Sequence, residues 1–166
     1  MKGSQKVIDQ LNFLLTGEMT SMDLYFLHSR MYKDWGFGKL YDRINHEMDD
    51  EKEHASMLIE RIIFLGGAPC LSKRDAYEVH DNVTDMLKQS LEFEYDVAKN
   101  LKAAIRVCES EDDFVSRDIL KKLLVDTEDD HIDWLETQIG LIEKIGLANY
   151  LQSQAGAASD ESTTGH

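Results

Sequence analysis

Proline is almost missing from this chain, with one in 166 residues, and glycine is sparse at ten. Long helices can therefore run without a residue that breaks their hydrogen-bond ladder. The two cysteines, Cys70 and Cys108, have no metal-ligand spacing, which excludes a thiolate cluster and suits free thiols in a reducing compartment. No apolar run approaches the ~20 residues of a membrane span. The opening Met1-Lys2-Gly3-Ser4-Gln5-Lys6 leads into a pattern broken by Asp9, Gln10 and Asn12. That is not a secretory leader, and the expected location is cytoplasmic. Basic residues are few: 18 Lys and Arg against 32 Asp and Glu, for a net charge of −14. That balance argues against binding a nucleic-acid backbone and favours cations.

What the chain has in abundance is amphipathic periodicity. A first helix is predicted over about Gln5 to Asp34, with Leu11, Leu15, Glu18, Met22, Tyr25 and Ser29 on one stripe. A second runs from about Lys39 to Leu65, with Ile44, Glu47, Glu51, His54, Leu58 and Ile62 on one face; Gly66-Gly67-Ala68-Pro69 stops it. Residues 66 to 82 form a crossover. Asn82 is placed to cap a third helix, Val83 to Ser110, whose stripe holds Leu87, Leu91, Glu94, Ala98 and Leu101. Ser110 with Asp113 opens a fourth, carrying Leu120, Leu124, Glu128, His131 and Leu135. After Gly146 comes a short helix, Leu147 to Gln154. Two short turns and one long crossover describe an all-α four-helix bundle with a short fifth helix, one domain over 1–154. The small polar tail, 155–166, is expected to be disordered.

Glu51-Lys52-Glu53-His54 and Glu128-Asp129-Asp130-His131 are two copies of Glu-x-x-His. Glu18 precedes Glu51 by 33 residues, and Glu94 precedes Glu128 by 34. Four helices thus offer Glu, Glu-x-x-His, Glu, Glu-x-x-His, the ligand pattern of a di-iron carboxylate bundle. An i,i+3 pair on an α-helix presents a carboxylate and an imidazole to one side. One such motif is weak evidence, since most are solvated surface. Six in phase with apolar stripes are not, because unpaired buried carboxylates are costly without a cation. Oxygen ligands with a few imidazoles suit iron or manganese. Tyr25 lies two turns beyond Glu18 and reads as a core tyrosine bonded to a ligand or as an electron donor to the site. Trp134, one turn from His131, carries the same two readings, with packing favoured. His46 and Asp50 form an i,i+4 pair on another face, most often a surface contact; Lys52 reads as solvated or partner-facing.

The chain resembles the bacterioferritins over about residues 1 to 154. The stretches that carry this are Met1-Lys2-Gly3, Tyr25-Phe26-Leu27-His28-Ser29-Arg30-Met31, Ile59-Glu60-Arg61-Ile62, Ala98-Lys99-Asn100-Leu101, Val115-Ser116-Arg117-Asp118 and His131-Ile132-Asp133-Trp134-Leu135-Glu136-Thr137. The resemblance implies a ferroxidase: a cage of 24 subunits that oxidises Fe2+ with O2 or H2O2 at an intrasubunit di-iron centre and stores ferric mineral. It implies that Glu51 and Glu128 bridge the irons, with Glu18, Glu94, His54 and His131 as terminal ligands. It assigns His46 and Asp50 to an iron on the cavity wall. It implies a homo-oligomer or a mixed cage, and a ferredoxin-type reductant for iron release.

Three departures stand out. Haem-binding members carry methionine where this chain has Lys52, and Met48, one turn away, is poorly placed to substitute. Haem is therefore not expected in a homomer, and a mixed cage with a methionine-bearing subunit is. Asp34 and Asp133 match a pore lining, but Gly66 and Gly140 stand where carboxylates are expected. The stretch from Asp118 to Glu128 is one residue longer than expected, which a π-bulge would absorb. Two alternatives remain: a structural shell subunit, against which the six ligands count, and a di-metal oxygenase or peroxidase on the same bundle. A rubrerythrin-like electron input would need Cys-x-x-Cys pairs, which are absent. A DNA-protecting mini-ferritin is disfavoured by the acidic charge.

Overall fold

The computed structural model describes residues 1–159. It contains α1 (Gln5–Asp34), α2 (Gly38–Phe64), α3 (Val83–Ser110), α4 (Phe114–Val125), a π-helical segment (Asp126–Ile132), α5 (Asp133–Ile145) and α6 (Leu147–Gln154). The fourth rod of the bundle is thus α4, the π segment and α5 in series. Among the described residues no helix is long and apolar enough to cross a membrane.

The helix ends follow local chemistry. The Asn82 side chain accepts the backbone N–H of Asp85 at 2.9 Å, closing the start of α3. Asp113 does the same for Ser116 at the start of α4, also at 2.9 Å. Ser110 ends α3 rather than opening the next helix. Gly66 takes a positive φ of 81° just past α2, a conformation that would strain any residue with a Cβ. The N–H of Gly3 donates to the carbonyl of Leu65 at 2.8 Å, so the start of α1 lies beside the end of α2 and the pair is antiparallel.

Two apolar clusters fill the bundle. One joins Val7, Leu11 and Leu15 of α1 to Leu58 and Ile62 of α2, Leu101 of α3, and Leu120 and Leu123 of α4. The other joins Tyr25 and Tyr32 of α1, Leu40 and Ile44 of α2, Met86 and Leu87 of α3, Leu135 of α5 and Tyr150 of α6. The layer between them holds Glu18, Glu47, Glu51, His54, Glu94 and His131, all buried. Ionisable groups shut between two oily layers are costly unless something satisfies them.

The tail departs from expectation. Residues 155–159 are not a free polar end. Gly156 bridges to Phe37 in parallel, the Gly38 N–H donates to the Gly156 carbonyl at 3.1 Å, and Ala158 is buried. Gly38 permits this, because a Cβ there would collide with the backbone of Gly156 and Ala157. Ser159 then bonds the Asp42 carboxylate at 3.0 Å. Small side chains, which read as disorder, here allow close backbone approach. The remainder, 160–166, lies outside the described residues.

Candidate metal centre

Residues from all four rods converge in the polar layer. Three ligand groups have donor atoms all within 4.8 Å of one another: Glu18, Glu51 and His54; Glu51, Glu94 and His131; and Glu47, Asp50, Asp130 and His131. Glu51 belongs to the first two. His131 belongs to the last two, with Nδ1 3.1 Å from Glu51 and 3.3 Å from Glu94, and Nε2 2.6 Å from Glu47. The rings of His54 and His131 lie nearly parallel, 5.9 Å between centroids. His54 turns Nδ1 toward Glu18 at 3.7 Å and Nε2 toward Asp126 at 3.1 Å. A carboxylate on the outer nitrogen fixes the imidazole and leaves the inner nitrogen for a metal.

The donor set fits a cation. Glu18 Oε2 and His54 Nδ1 are buried 3.7 Å apart with no hydrogen-bond partner, and the Glu47 carboxylate is buried against His131 Nε2 and Arg43. Buried polar atoms nearly always have a hydrogen-bond partner. Buried oxygen and imidazole donors that converge in this way are what a divalent ion satisfies.

Protonation reflects the crowding. At Glu18 burial acts to raise the pKa, but the hydrogen bond from Glu51 and the nearby His54 outweigh it, and the net shift is downward. Burial and the Glu18 charge push the Glu51 carboxyl well up from its ordinary value. At His131 burial favours the neutral ring, yet hydrogen bonds with Glu47, Glu51 and Glu94 raise the pKa overall. His54 is raised by Glu18 and Asp126 against the same burial. The Tyr25 hydroxyl donates to Glu94, and burial, then the Glu94 charge, hold its pKa well above ten.

Five of the six residues predicted from the sequence come together: Glu18, Glu51, His54, Glu94 and His131. Glu128 does not. It is half-exposed and ion-paired to Lys102 of α3 at 2.5 Å. The cause is the π segment. Its i→i+5 hydrogen bonds give about four and a half residues per turn, so residues four apart align and residues three apart diverge. Leu123, Thr127, His131 and Leu135 are all buried, three successive steps of four, and Thr127 takes the inward place expected of Glu128. The inserted residue expected between Asp118 and Glu128 is absorbed over Asp126–Ile132, inside the motif itself.

Glu47 joins the site although no motif spacing singles it out. Its signal is the α2 stripe it shares with Glu51 one turn on, but its partner His131 lies on another rod. Arg43 lies beside it, 2.5 Å from Glu47, 2.8 Å from Asp130 and stacked over Trp134 with its guanidinium 4.8 Å from the ring. Trp134 itself packs against the Tyr25 cluster. His46 is exposed and 3.6 Å from Asp50, as the spacing suggests. Asp50 also approaches His131 Nε2 at 3.7 Å, and burial raises its pKa. Lys52 is exposed, as are Asp34, Asp133 and Gly66; Gly140 is half-buried.

The family described as ferritin-like domain matches residues 8–145. A bacterial ferritin of Synechocystis sp. is 59% identical over 154 residues, covering 93% of this chain and 99% of that protein. One from Pseudomonas aeruginosa is 53% identical over 156 residues, covering 93% and 99%. A bacterioferritin of Brucella melitensis is 39% identical over 160 residues, covering 96% and 99%.

Proposed function

The chain belongs to the ferritin family, and on that premise we propose that it oxidises Fe2+ at a paired-metal centre in each bundle and stores the ferric product inside a 24-subunit cage. The observation that carries this is Glu51, common to two ligand groups that each add one carboxylate and one histidine. One Fe2+ sits with Glu18 and His54, the other with Glu94 and His131, and Glu51 bridges them. Glu128 is the second bridge, and to serve as one it leaves Lys102 as the π segment around it shifts.

Iron is the substrate. Each Fe2+ gives one electron; two electrons and two protons reduce O2 to H2O2, or H2O2 to two waters. The chain's own work is to bind and orient. Tyr25 holds Glu94, Glu47 and Asp126 hold the outer nitrogens of His131 and His54, and the apolar clusters on either side keep the site dry. His46 and Asp50 bind a further iron on the cavity wall, which passes electrons toward the centre.

Lys52 makes this a ferroxidase-type subunit without its own haem ligand. Lysine is a hydrated point charge, not a soft thioether. Two Lys52 side chains facing each other across a two-fold axis would repel, and a methionine-bearing partner subunit would relieve this and supply one haem sulfur. The protein therefore works in a mixed cage, in the cytoplasm, with a ferredoxin-type reductant releasing the iron. Native mass spectrometry of the assembly from its source tests the mixed cage; an assembly of this chain alone contradicts it.

The centre is tested by Glu51→Gln, followed as Fe2+ oxidation in air by stopped flow. The fast phase is expected to disappear, and an unchanged fast phase removes the assignment.

A further inference from the structure

Glu128 is the one residue of the six-ligand pattern that the structure holds outside the buried layer. There its carboxylate meets Lys102 Nζ, 2.5 Å away, with 50% of the lysine and 42% of the glutamate side chain exposed. Lys102 sits on α3 two turns beyond Glu94, on the solvent side of the rod whose inner face carries Glu94 and Ala98. It lines a groove with Arg106, Arg117 and Lys121, a basic strip on a strongly acidic chain. Arg117 is already engaged by Asp118 and Glu109, whereas Lys102 faces Glu128.

The geometry points to Lys102 as a latch: a positioning residue that competes with metal for Glu128 and so sets how tightly the centre holds the second of its two ions. This rests on the paired-metal reading above and adds its regulation. The π segment turns the Glu128 backbone position away from His131, and Lys102 offers the outward side chain a charged partner. To bridge, Glu128 must give up that ion pair. The first ion needs only residues already gathered, Glu51 with Glu18 and His54 or with Glu94 and His131. The second depends on the added bridge to offset its neighbour's charge. Lys102 therefore weakens the second site and spares the first. The pair is half-exposed, so its effect is modest and sensitive to salt.

The test is a titration of iron-free protein with Co2+, a divalent probe that air does not oxidise in these ligands, read by its visible absorption. Wild type should take two Co2+ per subunit with unequal affinity. Lys102→Met should tighten the weaker site about fivefold, the scale of a half-exposed ion pair, and leave the tighter one unchanged. Lys102→Arg, which keeps the charge, should match wild type. Lys121→Met removes the same charge from the same groove without touching Glu128, and should leave the ratio of the two affinities unaltered. The gap between wild type and Lys102→Met should close in high salt. An unchanged weaker site in Lys102→Met, or equal tightening in Lys121→Met, overturns the latch and leaves the paired centre standing. Fewer than two Co2+ in wild type overturns both.

Discussion

The hydroxyl of Tyr25 donates to Glu94 inside the bundle, and the same Glu94 oxygen lies 3.3 Å from Nδ1 of His131. Tyr25 thus orients a carboxylate that serves the second ligand group. Tyr25→Phe should keep the fold and lose about 1.5–3 kcal/mol, the scale of a buried bond to a charged acceptor. First-turnover Fe2+ oxidation should slow about 10- to 100-fold, given one lost orienting contact and intact ligands. Glu94→Gln should abolish it. Stopped-flow kinetics on both variants decide this; equal losses would make Tyr25 an obligatory electron donor rather than an orienting group.

His46 and Asp50 separate in the structure by what else they touch. Only Asp50 also approaches His131. Asp50→Ala should slow sustained mineral growth more than His46→Ala, and both should spare the first turnover. Multi-turnover oxidation assays with repeated Fe2+ additions measure this. No slowing in either variant reduces the pair to a surface contact.

Lys52 is exposed on α2. Homomeric protein should show no absorption of a haem held by two sulfurs after incubation with haem, and Lys52→Met should restore it. Full haem occupancy in the unmodified homomer contradicts this.

His28 gives a pH prediction away from the metal ligands. Burial is the main cause that brings its pKa down to about 4 from 6.5. Below pH 6.5 the unfolded chain takes up a proton that the folded chain refuses, so stability falls with pH until about pH 4. The loss across that window is up to about 3 kcal/mol, at 1.36 kcal/mol per unit. His54 and His131 are raised and contribute with the opposite sign, so the measurement is a difference. Iron-free wild type should lose more denaturant stability between neutral and acid pH than His28→Gln does. Parallel curves would show that His28 charges freely in the fold.

The bundle was legible because apolar stripes and breakers agree along the chain, as at Asn82 and Gly66. Glu51 and His54 were legible as a pair because α2 is a regular α-helix. Glu128 and His131 have the same spacing but not the same geometry. One extra residue, absorbed as a π segment, changes the phase inside the motif, and spacing alone carries no sign of where the helix takes up that residue. Arg43 with Asp130 and Lys102 with Glu128 join residues far apart in sequence, so no local pattern announces them. The turn of chain around Gly156 was hidden by composition, since small polar residues mark both disorder and close packing.

The account stands on two ions sharing Glu51. Iron-edge anomalous diffraction from crystals soaked in Fe2+ without oxygen reads this directly. The expected map has two peaks per subunit flanking Glu51, one toward Glu18 and His54 and one toward Glu94 and His131. No peak inside the bundle, or a single peak at Glu47 and Asp130 with none beside Glu51, would contradict it.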